Sequence, residues 1–253
     1  MGRGDFDYER RGQGYARVRR TDPRIAALVH TALGSARTVL NVGAGAGSYE
    51  PTDRHVVALE PSAAMRAQRL VKAVAVLNGV AEHLPFDDKA FDASMATLTV
   101  HQWPEVEVGL REMLRVTRGP VVVLTFDGDA LDRFWLNDYV PELIEAERRR
   151  YPALNAISEA LGGGAMISSV SVASDCLDGF TEAFFARPEA FLDTAVRRSQ
   201  SAWGFVENGV EARFVAQLRH DLDSGAWDER YGALRRQQTF EGALRLIVHS
   251  QVG

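Results

Sequence analysis

A short aliphatic run, a glycine turn, a second aliphatic run and a carboxylate follow one another between residues 38 and 62, and few folds accommodate that order. The first run is Thr38-Val39-Leu40-Asn41-Val42, and the turn carries Gly43, Gly45 and Gly47. The second run is His55-Val56-Val57-Ala58-Leu59, and Glu60 ends it. Continuous aliphatic runs of this length read as parallel strands buried on both faces. Glycines in the turn let the backbone approach a ligand where any side chain would collide. Glu60 then emerges at the carboxyl end of the neighbouring strand, where a carboxylate can accept both hydroxyls of a ribose. The segment predicts a nucleoside site.

The spacing disfavours a nicotinamide dinucleotide. That fingerprint is G-x-G-x-x-G, opening a long helix whose amino end faces a pyrophosphate. Here the glycines are spaced G-x-G-x-G, and Ser48-Tyr49-Glu50-Pro51-Thr52-Asp53 leave little room for a helix before Val56. A nicotinamide oxidoreductase is thus a weaker reading.

The following segments narrow the choice. A helical stretch from Ala63 to Leu70 leads into a third apolar run, Ala73 to Leu77, and then Gly79-Val80-Ala81-Glu82-His83-Leu84-Pro85-Phe86. A fourth strand, Ala93 to Thr97, precedes His101-Gln102-Trp103. An amphipathic helix bearing Val106, Leu110, Met113 and Leu114 runs into a fifth strand at Val121-Val122-Val123-Leu124. With these motifs in order, residues 8–126 resemble the class I S-adenosylmethionine (SAM)-dependent methyltransferases, and most closely the type-11, UbiE-like small-molecule branch. The resemblance implies an α/β fold: a Rossmann-like, seven-stranded, mostly parallel sheet of order 3-2-1-4-5-7-6, with SAM as cofactor and a helical cap insertion.

The resemblance also implies roles. Gly43, Gly45 and Gly47 would pass under the methionine part of SAM, and Glu60-Pro61 would flank the ribose. Ala81 and Glu82 would meet the adenine edge, and Thr97 would face the methionine moiety. Tyr15 and Arg19 resemble the amino-terminal element that folds over the cofactor, where an arginine can pair with the SAM carboxylate. Asn41 departs from the family's Asp or Glu: it keeps a carbonyl acceptor but drops the charge. An Asp at this position is therefore expected to tighten SAM binding. The same departure keeps open a SAM-binding protein without methyl transfer, such as a cyclase, an isomerase or a regulator.

Composition limits the other classes. The 253 residues are 46% hydrophobic, with no apolar stretch long enough to span a bilayer and no signal peptide at the charged amino terminus. A cytoplasmic protein is expected. Cys176 is the single cysteine, which excludes an internal disulfide and cysteine-held clusters, and with them radical SAM chemistry. The net charge of −5 and the lack of a basic block argue against nucleic acid. Arg148-Arg149-Arg150, flanked by Glu145 and Glu147, reads as a solvated helix face. The expected partner is a small molecule, neither membrane nor metal is expected, and oligomeric state is left open.

The chain divides into a SAM-binding core with an amino-terminal helical segment (1–126), a helical insertion (127–165), and the last two strands with an intervening substrate cap (166–253). An aromatic helix is expected over Leu131 to Tyr139, further helices over 141–150 and 153–161, and strands over 167–172 and 244–249. About seventy residues separate those strands, far more than a connection needs. Trp103, Trp135, Tyr139, Asp175 and Asp178 are the expected substrate contacts. His101 follows the fourth strand on the side where SAM should lie, and is the candidate general base if the acceptor carries a proton. Thr97-Leu98-Thr99-Val100 offers no carboxylate pair, so a catechol-type metal site is not expected.

Overall fold

The computed structural model describes residues 15–69 and 74–251. Its strands are β1 (Thr38–Val42), β2 (His55–Leu59), β3 (Val76–Leu77), β4 (Ala93–Thr97), β5 (Pro120–Phe126), β6 (Met166–Ser169), β7 (Val172–Ala173), β8 (Thr239–Phe240) and β9 (Leu244–Ser250). Seven of them form one sheet in the order β3-β2-β1-β4-β5-β9-β6. The first five are parallel, and β9 lies antiparallel between β5 and β6. Counted within the sheet, this is the expected 3-2-1-4-5-7-6 order.

The aliphatic runs bury both faces because successive side chains point to opposite sides of a strand. Val39, Met95, Val122 and Leu124 pack into one layer with Ile25, Ala26 and Val29 of the helix Pro23–Ala32. Leu40, Val42, Ala96, Val121 and Val123 pack into the other, against Leu110, Met113 and Val116 of the helix Val106–Val116. The first of these helices starts where it does because Pro23 occupies its first turn and the Asp22 side chain accepts from Arg24 N.

Two expected elements differ. The sixth strand does not run through to Val172: β6 stays on the sheet edge, while β7 leaves it and pairs with β8 in a separate ribbon. The aromatic stretch is not one helix either. A 3₁₀ segment, Gly128–Arg133, and a short helix, Leu136–Tyr139, flank Phe134 and Trp135. The break turns both rings into the cap. Trp135 Nε1 donates to Phe185 O at 3.2 Å, and its ring lies 5.6 Å from Phe191 and 5.5 Å from Trp227, both edge-on. The cap aromatics therefore pack on one another within the same core layer that covers this face of the sheet. Trp135→Ala should cost about 3–5 kcal/mol of stability in denaturant melts. Wild-type SAM affinity should survive under conditions where the variant is folded.

Candidate functional site

The glycine turn is shaped by contacts behind it. Gly43 and Gly45 have φ of 67° and 51°, in the left-handed region that favours glycine. A Cβ on Gly43 would lie 2.2 Å from Thr99 Oγ1, so the loop can seat against β4's exit without a side chain there. Above the loop opens a cleft of about 390 Å³ at the carboxyl ends of the parallel strands. Gly43, Gly45, Glu60, Pro61, Ala81, Glu82 and Thr97 line it, together with Arg19, Trp103 and Asp178. Each Glu60 oxygen accepts one backbone N–H at 2.8 Å, from Gly45 and from Ser62. Burial raises the Glu60 pKa, and those two amides oppose the rise. Glu82 accepts from Glu105 N at 3.2 Å.

Other expected cofactor residues stand elsewhere. Gly47 is not in the cleft wall; a Cβ there would press on Arg69 and Glu50, which form a buried ion pair at 2.7 Å. Asn41 is fully buried and donates from Nδ2 to Glu50 Oε1 at 3.0 Å, leaving Oδ1 without a partner. It faces Glu50 rather than the cleft. Tyr15 stands in the helix Tyr15–Val18, and its side chain lies outside the described residues.

Arg19 does line the cleft, but Asp178 holds it: Arg19 Nε donates to Asp178 Oδ1 at 2.6 Å, and Tyr49 Oη donates to Oδ2 at 2.7 Å. The next residue must be small, because a Cβ on Gly179 would lie 2.3 Å from Val18 Cγ1. Leu177 N donates to Asp22 at 3.0 Å, and Arg24 pairs with Asp175 at 2.6 Å. The Asp175 to Phe180 turn is thus a clasp on the amino-terminal segment. Of its two aspartates, Asp178 reaches the cleft, whereas Asp175 is 81% exposed and points to solvent. Trp135 and Tyr139 do not line the cleft, since the cap core consumes Trp135 and Tyr139 Oη donates to Asp221 at 2.8 Å. Trp103 is buried in the cleft wall beside Ala81 and Gly109, not under the cap core.

His101 lines a second, smaller cavity of about 30 Å³ rather than the cleft. Arg19 and Leu98 belong to both walls, so these two side chains form the partition. The cap supplies the far side with Glu147, Phe180, Thr181, Glu182, Gln200 and Ser201. His101 Nδ1 is buried without a partner, and the ring packs 4.9 Å from Tyr151. Burial, then the charges of Arg150 and Arg19, hold its pKa well below the usual imidazole value, so it is neutral. The arginine run is not one solvated face. Arg148 and Arg149 pair outward with Glu145, whereas Glu147 and Arg150 are buried. Sequence reading also missed two residues of the cleft wall, Tyr49 and Gln102, the latter with both amide polar atoms buried and unpartnered.

Known proteins share this fold. Residues 40–124 match the family model of a methyltransferase domain. A structure from Anabaena variabilis, described as a methyltransferase from an antibiotic biosynthesis pathway, is 29% identical with a TM-score of 0.86, over 94% of this chain and 100% of that one. The chain carries a methyltransferase domain, and its fold is that of the class I SAM-dependent methyltransferases. A rice (Oryza sativa subsp. japonica) protein, the chloroplastic 2-methyl-6-phytyl-1,4-hydroquinone methyltransferase 2, is 30% identical over 79 residues. That match spans 31% of this chain and 22% of the rice protein. The [4+2]-cyclase SpnF shares the fold, with 20% identity, a TM-score of 0.54 and coverage of 91% of this chain and 81% of its own.

The methyltransferase's cofactor is SAM, and the cleft fits it. Its size suits a nucleoside with an amino-acid arm, Glu60 stands at the end of β2, and Gln102 presents a donor and an acceptor that no protein group satisfies. Glu60→Gln keeps the shape and removes a charged acceptor. SAM affinity should fall about tenfold by calorimetry, the worth of one charge-assisted hydrogen bond. Unchanged affinity would remove Glu60 from the site. Asn41→Asp should not tighten SAM binding as the family pattern suggests. It sets a second carboxylate against Glu50 in a fully buried position, which should cost about 1–3 kcal/mol at neutral pH. A carboxyl whose folded pKa is raised in this way destabilises only while ionised, so the deficit should shrink as pH falls below that pKa. Denaturant melts at neutral and acidic pH check both points.

Proposed function

We propose that this methyltransferase transfers the SAM methyl group to a small-molecule acceptor held between the cleft and the cap. The observation that carries the reading is the small, partly polar cavity that shares Arg19 and Leu98 with the cofactor cleft and takes its far wall from the cap. A space of that size beside the cleft suits one end of a small molecule and not a polymer. The net charge of −5 agrees, giving no field that would gather a phosphate backbone. The 29% identity to a protein of an antibiotic biosynthesis pathway supports an acceptor from secondary metabolism. Among the described residues no helix is long and apolar enough to cross a membrane.

Bound SAM supplies an activated methyl group, so the protein's task is orientation, which can account for roughly 7–11 kcal/mol of barrier. Glu60 and the glycine loop would fix the cofactor, and Leu98 and Arg19 would limit where the acceptor meets it. Phe126, Tyr151 and Phe180 would exclude water from the inner end. His101 is neutral and so can accept a proton from a hydroxyl or ammonium acceptor.

Incubation with SAM and candidate acceptors should yield S-adenosylhomocysteine and methylated product in equal amounts by mass spectrometry. Product formed without S-adenosylhomocysteine would make the protein a cyclase or isomerase instead. With an acceptor that loses a proton, His101→Ala should lower kcat by about 10²–10⁴ with SAM affinity nearly unchanged. Because the folded pKa of His101 lies well below the ordinary value, wild-type kcat should show no inflection near pH 6.5. An inflection there that disappears in the variant would mean His101 titrates in solvent.

A further inference from the structure

Glu60 leaves the sheet between two strand ends, and its main chain is tied on both sides. Its N–H donates to Leu77 O at 2.9 Å, which extends the pairing of β2 with β3 by one residue. Its carbonyl is held by Arg66, the last residue of the short helix Ala63–Arg66. The guanidinium folds back over the start of its own helix. Its Nη1 donates to Glu60 O and Pro61 O, both at 2.7 Å, and to Asn78 Oδ1 at 3.2 Å. Hydrogen bonds from a charged donor are the stronger class. Arg66 is half-buried and stands outside the cleft wall.

The three acceptors belong to two neighbouring walls of the cleft. Glu60 and Pro61 form one. Asn78 stands two residues before Val80, and Val80, Ala81 and Glu82 form the other. The backbone between them is closely packed, since a Cβ on Gly79 would lie 2.7 Å from Leu59 Cδ1. Packing brings the two walls together, and Arg66 ties one to the other.

The same side chain acts through its charge. Burial disfavours the ionised Glu60 carboxyl, and the amides of Ser62 and Gly45 oppose that effect, followed by the charges of Arg66 and Arg69. Arg69 is paired with Glu50 at 2.7 Å, so that carboxylate offsets much of its field. The acceptors of Arg66 are two carbonyls and a side-chain amide, which leave its charge in place.

We propose that Arg66 is a positioning residue for the cofactor: it locks the Glu60-Pro61 turn against Asn78, and so sets the ribose carboxylate at a fixed spacing from the adenine wall. This rests on the reading of the cleft as the SAM site. Arg66 touches no reacting atom and acts through Glu60.

Calorimetry over a range of pH tests the assignment, with SAM and with 5′-methylthioadenosine, which keeps the nucleoside and lacks the amino-acid arm. Arg66→Met should weaken both ligands by the same factor, roughly three- to tenfold, because the defect lies at the nucleoside end. Loss of the positive charge lets the Glu60 carboxyl protonate at higher pH. The fall of affinity on acidification should therefore begin at a higher pH in Arg66→Met than in the wild type. Arg66→Lys keeps a charged donor and should restore the wild-type onset. In a Glu60→Gln background, where nothing titrates at position 60, adding Arg66→Met should leave the pH profile unmoved.

Unchanged affinity and an unchanged profile in Arg66→Met overturn the proposal. So does a loss of SAM affinity that 5′-methylthioadenosine does not share, or a loss with no shift in profile that Arg66→Lys does not repair. If Arg66→Met does not fold, Asn78→Ala decides: it cuts one tie and should weaken both ligands alike, and unchanged binding overturns the proposal. Glu60→Gln alone separates the two readings. Failure of the Arg66 role leaves the loss of SAM affinity in Glu60→Gln intact, whereas SAM binding indifferent to Glu60→Gln removes the cleft reading itself.

Discussion

The carboxylate of Asp178, 2% exposed, accepts the Arg19 guanidinium on one oxygen and the Tyr49 hydroxyl on the other. Arg19 comes from the amino-terminal segment, Tyr49 from the glycine loop and Asp178 from the cap, so three stretches distant in sequence meet at one ion. Removing one member of such a buried group strands the others, at a cost of about 3–5 kcal/mol. The neighbouring residues make the meeting possible. Gly179 lets Val18 pass, and Tyr49 is held at φ 65° with its backbone N–H on Thr21 and its ring buried. Burial and the Asp178 charge both raise the Tyr49 pKa, so the hydroxyl stays a donor to Asp178 across the working pH range. The shape of the cofactor cleft at this end follows from that bond set, because Arg19, Tyr49 and Asp178 are all part of its wall.

Polarity is then distributed in two ways around the same partition. On the cleft side, the two carboxylates are satisfied by backbone, Glu60 by Gly45 and Ser62 and Glu82 by Glu105, while the Gln102 amide keeps both polar atoms unpartnered. On the cap side, His101 and Arg150 keep buried polar atoms without partners. Backbone satisfaction fixes a side chain in place and suits a cofactor that must always lie in one position. Unpartnered groups in low dielectric are expensive unless a ligand completes them. The preformed part of the cofactor wall is thus Glu60 and Glu82, whereas Gln102 in the cleft and His101 across the partition keep hydrogen-bonding capacity that no protein group uses.

The parts of the fold written in local sequence were legible. The buried strands announce themselves as aliphatic runs, and G-x-G-x-G followed by Glu60 placed the cleft and its ribose carboxylate candidate. What could not be read was any orientation set by distant contacts. Asn41 and Gly47 sit in the right motif, yet the Arg69–Glu50 pair draws them to its side, and nothing near position 41 encodes Arg69. Trp135 and Tyr139 have the composition of a substrate wall, but the aromatic residues that claim them, Phe191, Trp227 and Tyr231, lie more than fifty positions away. Three consecutive arginines look alike in sequence. A helix gives them different faces, and only Arg150 shares the buried one with Glu147.

That split of the arginine run bears on why the cap is polar inside. A helix end with Leu or Met at position 150 would bury comparable volume without desolvating a charge, and replacing buried ions by apolar residues is often neutral or stabilising by about 1–4 kcal/mol. Stability therefore gives little reason to keep a guanidinium there. The cation–π contact with Phe205 and the bond to Ser201 hold its plane and one nitrogen, which narrows the orientations of the other edge. Held across its plane and at one nitrogen, the guanidinium is a fixed positive charge whose field reaches both His101 and Glu147. His101 lines the small cavity with Arg19 and stays neutral, since an imidazolium there would add a third positive charge to the field of Arg19 and Arg150.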